Sequence, residues 1–349
     1  MVTKITGLDQ TATLAIDKNS TPPLDTSRSK IWLVGKLLIA LLLVTYLLYT
    51  DKISLEVLRG FMGWWGILGG LGAALLIITS QVLTSLRIYY LFQANRLDIS
   101  FGWCLKTNFI GLFANNYLPT SMGGDAVRAY LFARGRSGLV AQIIATLAYD
   151  RMLGMVALAL LAFTALGMAR FLMPQLAWTP VLQWSFTLLG AGLVAAFGLV
   201  FISRRAPATR FTQQLCTKIP WGESLGRFFT AFRYLSRHGR RFLLLLAMSL
   251  LVHLCCAVAI YCTGQALGLY TDMGLTILLA PLIFISGVLP VSPGNLGWTE
   301  YVGSWLWSSQ GLAWGGSLWL AYRVVTAMVS LIGLVFYLHS KVRKPVIES

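Results

Sequence analysis

The chain has 349 residues, of which 57% are hydrophobic and 11% charged, with a formal net charge of +16 and a mean hydropathy of +0.71. A soluble chain carries roughly 25% charged residues, so this composition excludes a soluble enzyme or soluble binding module and indicates one polytopic membrane domain. The positive excess does not indicate nucleic acid, because most Lys and Arg flank apolar stretches, where they set orientation and meet anionic headgroups.

Residues 1–30 are polar and mixed in charge, and read as a disordered tail. No short apolar core with a small-residue cleavage site opens the chain, so no signal peptide is expected. A helix needs about 20 apolar residues to cross the hydrocarbon. On that rule the spans are 31–49, 61–86, 139–168, 181–202, 242–267 and 315–338. Two apolar regions remain, about 101–134 and 274–309, each broken near its middle. Each flank is short for a crossing, so both read as re-entrant helical hairpins. The expected fold is all-α and polytopic, with about six transmembrane helices and two re-entrant hairpins in an inverted-topology repeat. Repeat one covers about 31–170 and repeat two about 181–340.

Orientation follows from the basic residues. Segment 203–241 holds nine Arg or Lys, from Arg204 to Arg241, against the single acid Glu223, and the C-terminal tail adds Lys341, Arg343 and Lys344. Segments 171–180 and 268–273 are nearly free of positive charge. The positive-inside rule then places both termini in the cytoplasm. With six spans, the first hairpin enters from the cytoplasm and the second from outside. Segment 203–241 also interleaves its charge with Phe211, Phe228, Phe229, Phe232 and Tyr234, and reads as an amphipathic loop on the inner leaflet.

The two breaks are copies of one motif. Leu118-Pro119-Thr120-Ser121-Met122-Gly123 returns 171 residues later as Leu289-Pro290-Val291-Ser292-Pro293-Gly294. An echo follows each: Ala148-Tyr149-Asp150-Arg151 and Ala321-Tyr322-Arg323. Proline and glycine free backbone groups at membrane depth, which is tolerated only where the chain lines a cavity or is buried in protein. In the first hairpin, Asn116, Ser121, Gly123, Gly124, Asp125 and Arg128 are the candidate contacts. Gly123 and Gly124 allow close backbone approach. Asp125 suits the N-cap of the returning helix, and Arg128 either contacts a phosphate or snorkels to the interface. In the second hairpin the candidates are Ser292, Gly294, Asn295 and Glu300, with Glu300 pairing with an arginine across the pseudo-two-fold axis or binding a proton.

Asp150, Arg151 and Arg323 fall near span centres, where charge is expensive and marks function by default. Arg151 and Arg323 occupy equivalent repeat positions, and two arginines facing one cavity would attract a phosphate. Asp150 reads alternatively as half of a buried pair that locks helices. Arg87, at the end of the second span, reads as an interfacial anchor, with a third cavity residue as the alternative. Five cysteines (Cys104, Cys216, Cys255, Cys256, Cys262) and three histidines show no metal-ligand spacing, and neither a phosphate-binding Walker sequence nor a Ser/His/Asp grouping is present. No cofactor and no catalysis are expected.

The set Asn115-Asn116-Tyr117-Leu118-Pro119, Gly123-Gly124-Asp125-Ala126-Val127-Arg128, Asp150-Arg151, Leu289-Pro290-Val291-Ser292-Pro293-Gly294, Gly297, Glu300 and Arg323 resembles the lysylphosphatidylglycerol synthase transmembrane region, or flippase-like domain family. The resemblance spans about 31–340. It implies a multi-pass protein of a bacterial inner membrane that moves a phosphate-bearing lipid or lipid-linked sugar between leaflets. Its partners would be membrane lipids, anionic or polyprenyl-phosphate-linked, and a lipid-synthesis enzyme. No aminoacyl transferase domain is read after residue 340, so a stand-alone member is expected. The alternative is a membrane subunit or enzyme of lipid-linked glycan, aminoacyl-lipid or hopanoid biosynthesis, with Asp125, Asp150 and Glu300 as acid–base groups. One departure is visible: the family pattern often places arginine before this glutamate, where the chain has Thr299.

Overall fold

The computed structural model describes residues 26–50, 52–53, 55–118, 123–172, 177, 179–205, 239–269, 271–289 and 291–342. Among them are ten α-helices and no strand. They are α1 (Thr26–Tyr49), α2 (Trp64–Ala94), α3 (Phe101–Tyr117), α4 (Gly123–Ala133), α5 (Val140–Leu172), α6 (Pro180–Arg205), α7 (Gly239–Ala266), α8 (Met273–Ser286), α9 (Trp298–Ser308) and α10 (Gly315–Val342). Residues 1–25 of the expected tail and 206–238 of the expected basic loop lie outside the described residues, as does Ser121.

Four helices among the described residues are long and apolar enough to cross a membrane: Trp64–Ala94, Val140–Leu172, Gly239–Ala266 and Gly315–His339. The chain is therefore an all-α, multi-pass membrane protein. Each of these four extends past its expected span at one end, most of all α2, which runs to Ala94 rather than 86. The extension is amphipathic: Ile88, Leu91 and Phe92 are buried at its end, so packing prolongs the helix where hydropathy alone would stop it. The interrupted regions fold as helix pairs. The α4 and α9 helices have 11 residues each and α8 has 14, or about 16 and 21 Å at 1.5 Å per residue, too short to cross about 30 Å of hydrocarbon.

Local chemistry sets these boundaries. Ser100 caps α3 by accepting from the Trp103 amide, and Asp272 caps α8 by accepting from the Leu275 amide at 2.7 Å. Leu118 ends α3 in an extended conformation (φ −84°, ψ 137°), as the residue before a proline must.

The packing has a hidden symmetry. Exchanging α2 with α7, α3 with α8, α4 with α9 and α5 with α10 maps one set of neighbours onto another. The α3–α10 contact becomes α8–α5, α5–α7 becomes α10–α2, and α2–α3 becomes α7–α8. The axis helices α2 and α7 run antiparallel: Gly69 lies against Ala266 and Cys262, whereas Arg87, further along α2, lies against Ser249, earlier in α7. Small residues bring these helices close. A β-carbon at Gly69 would sit 2.8 Å from that of Ala266, and one at Gly333 of α10 would sit 2.0 Å from the Phe109 carbonyl oxygen of α3. The outer helices depart from the exchange: α6 packs on α5, but α1 packs on α9 and the turn before it.

Candidate functional site

The first half-site is built on the α3–α4 hairpin. Gly111 and Asn115 lie one turn apart and share a face of α3. Gly124 packs on that face so closely that a β-carbon there would fall 2.2 Å from the Gly111 carbonyl oxygen. The Gly124 N–H donates to Asn115 Oδ1 at 2.9 Å, which satisfies one free amide at the start of α4. Asn115 thus does the capping expected of Asp125. The adjacent asparagine, Asn116, turns its amide back to the Leu112 carbonyl of its own helix. The signal for Asn115 was present: it stands four residues after Gly111, on the face that this small residue opens to a second helix.

Asp125 is the third residue of α4, not its cap, because the helix starts at Gly123. Freed from capping, its Oδ1 accepts from two guanidinium groups. One is Arg151 Nη2 from α5, and the other is Arg128 Nη1 at 3.3 Å. Arg128 does not snorkel. It lies flat against Gly111, its side chain 7% exposed, and Nη2 reaches the Asn108 carbonyl at 3.5 Å while Nε makes no hydrogen bond. Arg151 is half exposed, at 49%.

Beneath this pair lies a second ion pair. Arg87 Nε and Nη2 grip Asp150 at 2.7 and 3.0 Å, and Nη1 donates to Ser249 at 2.6 Å. Both charged side chains are nearly fully buried. Arg87 is therefore no interfacial anchor: it ties α2 to α5 and α7. Sequence spacing could not pair it with Asp150, 63 residues away.

A cavity of about 180 Å³ opens between α4 and α5. Asp125, Arg128, Asp150 and Arg151 line it, together with the apolar side chains of Ile88, Ile144 and Leu147. Ligand pockets for whole small molecules are typically 300–1,000 Å³; this one has room for a single small polar group.

The second half-site repeats the plan and closes it. Glu300 is the third residue of α9, as Asp125 is of α4, and its Oε2 accepts the Gly297 N–H at 2.8 Å. Its other oxygen accepts from Arg323 Nε at 2.5 Å. The pair lies within one half of the molecule, not across the axis as the sequence suggested. Arg323 also donates to the Gly294 and Asn295 carbonyls at 2.8 and 3.0 Å and to Thr299 Oγ1 at 2.7 Å. All three guanidinium nitrogens are engaged on one hairpin, and Arg323 does not line the cavity that Arg151 lines. Arg151 and Arg323 each hold their own hairpin. Each sits nearer the centre of its helix than either end, about 17 Å into α5 and about 12 Å into α10 at 1.5 Å per residue.

The other second-hairpin candidates shape the turn. Ser292 is buried and donates to the Leu296 carbonyl at 2.7 Å, and the Asn295 amide donates to the Gly287 carbonyl. Gly294, Asn295 and Gly297 all take left-handed backbone angles (φ 58°, 55° and 81°), which glycine and asparagine adopt at least cost. Gly294 also lies against Asn115 of the first hairpin.

Comparison with curated proteins and with solved structures finds no match. A family of known membrane regions does match, over residues 33–333, and so covers both hairpins and every helix that carries the two half-sites. The chain belongs to that family, the lysylphosphatidylglycerol synthase TM region.

Proposed function

We propose that this protein is a flippase-like translocase that moves a phosphate-bearing lipid or lipid-linked sugar between leaflets. A lipid-related membrane function follows from the family. The observation that carries the finer reading is the cavity at Arg151: a half-exposed guanidinium, far from either end of a spanning helix, beside a second arginine and an apolar wall. Charge at such depth is costly in lipid, and where it is half exposed beside a cavity it marks a path for polar cargo.

In this reading α1, α2, α5, α6, α7 and α10 cross the bilayer of a bacterial inner membrane, with both termini cytoplasmic. The two short hairpins enter from opposite faces and meet at their tips. The antiparallel packing of α2 and α7 supports that inversion, a common plan in secondary transporters. One half-site then serves each leaflet. The headgroup exchanges between them while the acyl or polyprenyl tails stay in lipid. Membrane lipids are the partners, a lipid-synthesis enzyme is a second partner, and nucleic acid is not one.

The enzyme alternative is less well supported, because its acid–base candidates are already spent: Asp125 on Arg128 and Arg151, Asp150 on Arg87, Glu300 on Arg323. The test is translocation of fluorescent phospholipids and of a polyprenyl-phosphate sugar in reconstituted vesicles. Wild type should scramble or flip one class, and Arg151→Ala and Arg323→Ala should each slow it. Unchanged rates in both variants would sink the mechanism.

A further inference from the structure

The charges around the cavity do not balance. Arg87 and Asp150 neutralise one another through two hydrogen bonds. The remaining groups are two arginines, Arg128 and Arg151, and one acid, Asp125. Both arginines lean on the same oxygen of that acid. Arg128 is the more poorly served: it is nine-tenths buried, its two contacts are 3.3 and 3.5 Å long, and its Nε has no acceptor. A buried guanidinium without full pairing is expensive. In the second half-site the same design is neutral, because Arg323 faces one acid and its four donor contacts are all met.

We infer that the cavity is a site for one singly charged phosphodiester, bound between Arg128 and Arg151, and that Asp125 is the resident counter-anion this group displaces. The inference rests on the translocase reading and narrows it to a charge class. One excess positive charge matches one phosphodiester. A phosphomonoester or diphosphate brings at least one further negative charge into a small cavity that already holds Asp125, and like charges there repel. A phosphate oxygen can also reach both guanidinium groups at once, as the Asp125 oxygen does now. The apolar wall of Ile88, Ile144 and Leu147 suits a group carried on a lipid.

The experiment is equilibrium binding to the purified full-length protein in detergent at pH 8, with three probes. Dioctanoyl phosphatidylglycerol is a phosphodiester, dioctanoyl phosphatidic acid is a monoester that is largely dianionic at that pH, and inorganic phosphate is the free anion. Wild type should bind the diester with one-to-one stoichiometry, about tenfold or more tighter than the monoester, whose further negative charge is repelled by Asp125. Equal or tighter binding of the monoester overturns the charge match, and inorganic phosphate binding as well as the diester overturns the lipid source. Arg128→Gln should weaken the diester about tenfold, as one lost charge-assisted contact implies. Asp125→Asn should tighten it and raise monoester affinity more steeply, since a competing anion is gone. That gain cannot arise from misfolding, and a loss instead overturns the counter-anion role. Translocation is read separately. Selective diester binding without movement defeats the translocase reading and leaves the charge match standing.

Discussion

A β-carbon placed on Gly294 would fall 3.4 Å from the carbonyl oxygen of Asn115, so the turn of the second hairpin touches the end of α3 in the first. Each of these residues is also tied to its own half-site. Arg323 holds the Gly294 carbonyl, and the Asn115 side chain holds the Gly124 N–H beside Asp125. The contact is thus a direct bridge between the closed half-site and the open one.

Substitution at Gly294 separates backbone strain from bulk. Its φ of 58° disfavours residues with a β-carbon by about 1–2 kcal/mol, and asparagine tolerates that conformation best. Gly294→Asn should therefore retain most thermal stability, whereas Gly294→Val should lower it clearly. Gly72, on α2 with open space around its β-position, supplies the control: Gly72→Ala should be nearly neutral. Thermal unfolding in detergent gives the ranking, and equal losses at 294 and 72 would refute the strain account.

The Arg87–Asp150 pair predicts a strongly non-additive cycle. Removing one partner leaves a buried charge unmatched, at about 3–5 kcal/mol. Arg87→Met and Asp150→Leu should each destabilise by about that amount. The double variant should lose much less than both together, because no charge remains to be stranded. Additive losses in chemical or thermal unfolding would mean that the pair is solvated and contributes little.

The all-α, multi-pass class and the interruption of the two shorter apolar regions were legible in the sequence because apolar length and proline–glycine breaks act locally. The family was legible for the same reason, since its motifs are the breaks themselves. The partners of the charged residues were not. Asp125 and Glu300 sit at the third position of their helices, and a one-dimensional reading takes the first polar residue after a glycine pair for a cap. Which residue caps depends on Asn115, and that depends on how closely Gly111 lets α4 approach. Arg87 was placed at the interface because hydropathy falls there, yet α2 continues for two turns and Arg87 faces α5 and α7. Hydropathy reports the average surroundings of a segment, and a single buried ion pair is invisible to it.

Glu300 has two separable duties. One oxygen accepts the Gly297 N–H and the other accepts from Arg323. Glutamine keeps an acceptor for the N–H but loses the charge on Arg323, and alanine loses both. Glu300→Gln should therefore be less destabilising than Glu300→Ala by about 1 kcal/mol, the typical value of a helix-start hydrogen bond. Arg323→Lys should resemble neither wild type nor Glu300→Gln, because one ammonium cannot serve four acceptors on two sides. Equal Tm values for the glutamine and alanine variants would remove the capping duty.

The inverted arrangement makes a prediction about sidedness. The turn after α4 carries Arg134 and Arg136, and Gly138 in it is exposed. The equivalent turn after α9 is free of Lys and Arg, and Ala313 in it is exposed. If hairpin one enters from the cytoplasm and hairpin two from outside, Gly138→Cys and Ala313→Cys face opposite compartments. In a background with the five native cysteines replaced, a membrane-impermeant maleimide should label position 313 in intact spheroplasts and position 138 only in inverted vesicles. The basic turn is the cytoplasmic one because translocating its arginines is disfavoured, so the reverse pattern would flip the orientation and keep the inversion. Labelling of both positions from one face would eliminate the inversion, and with it the assignment of one half-site to each leaflet.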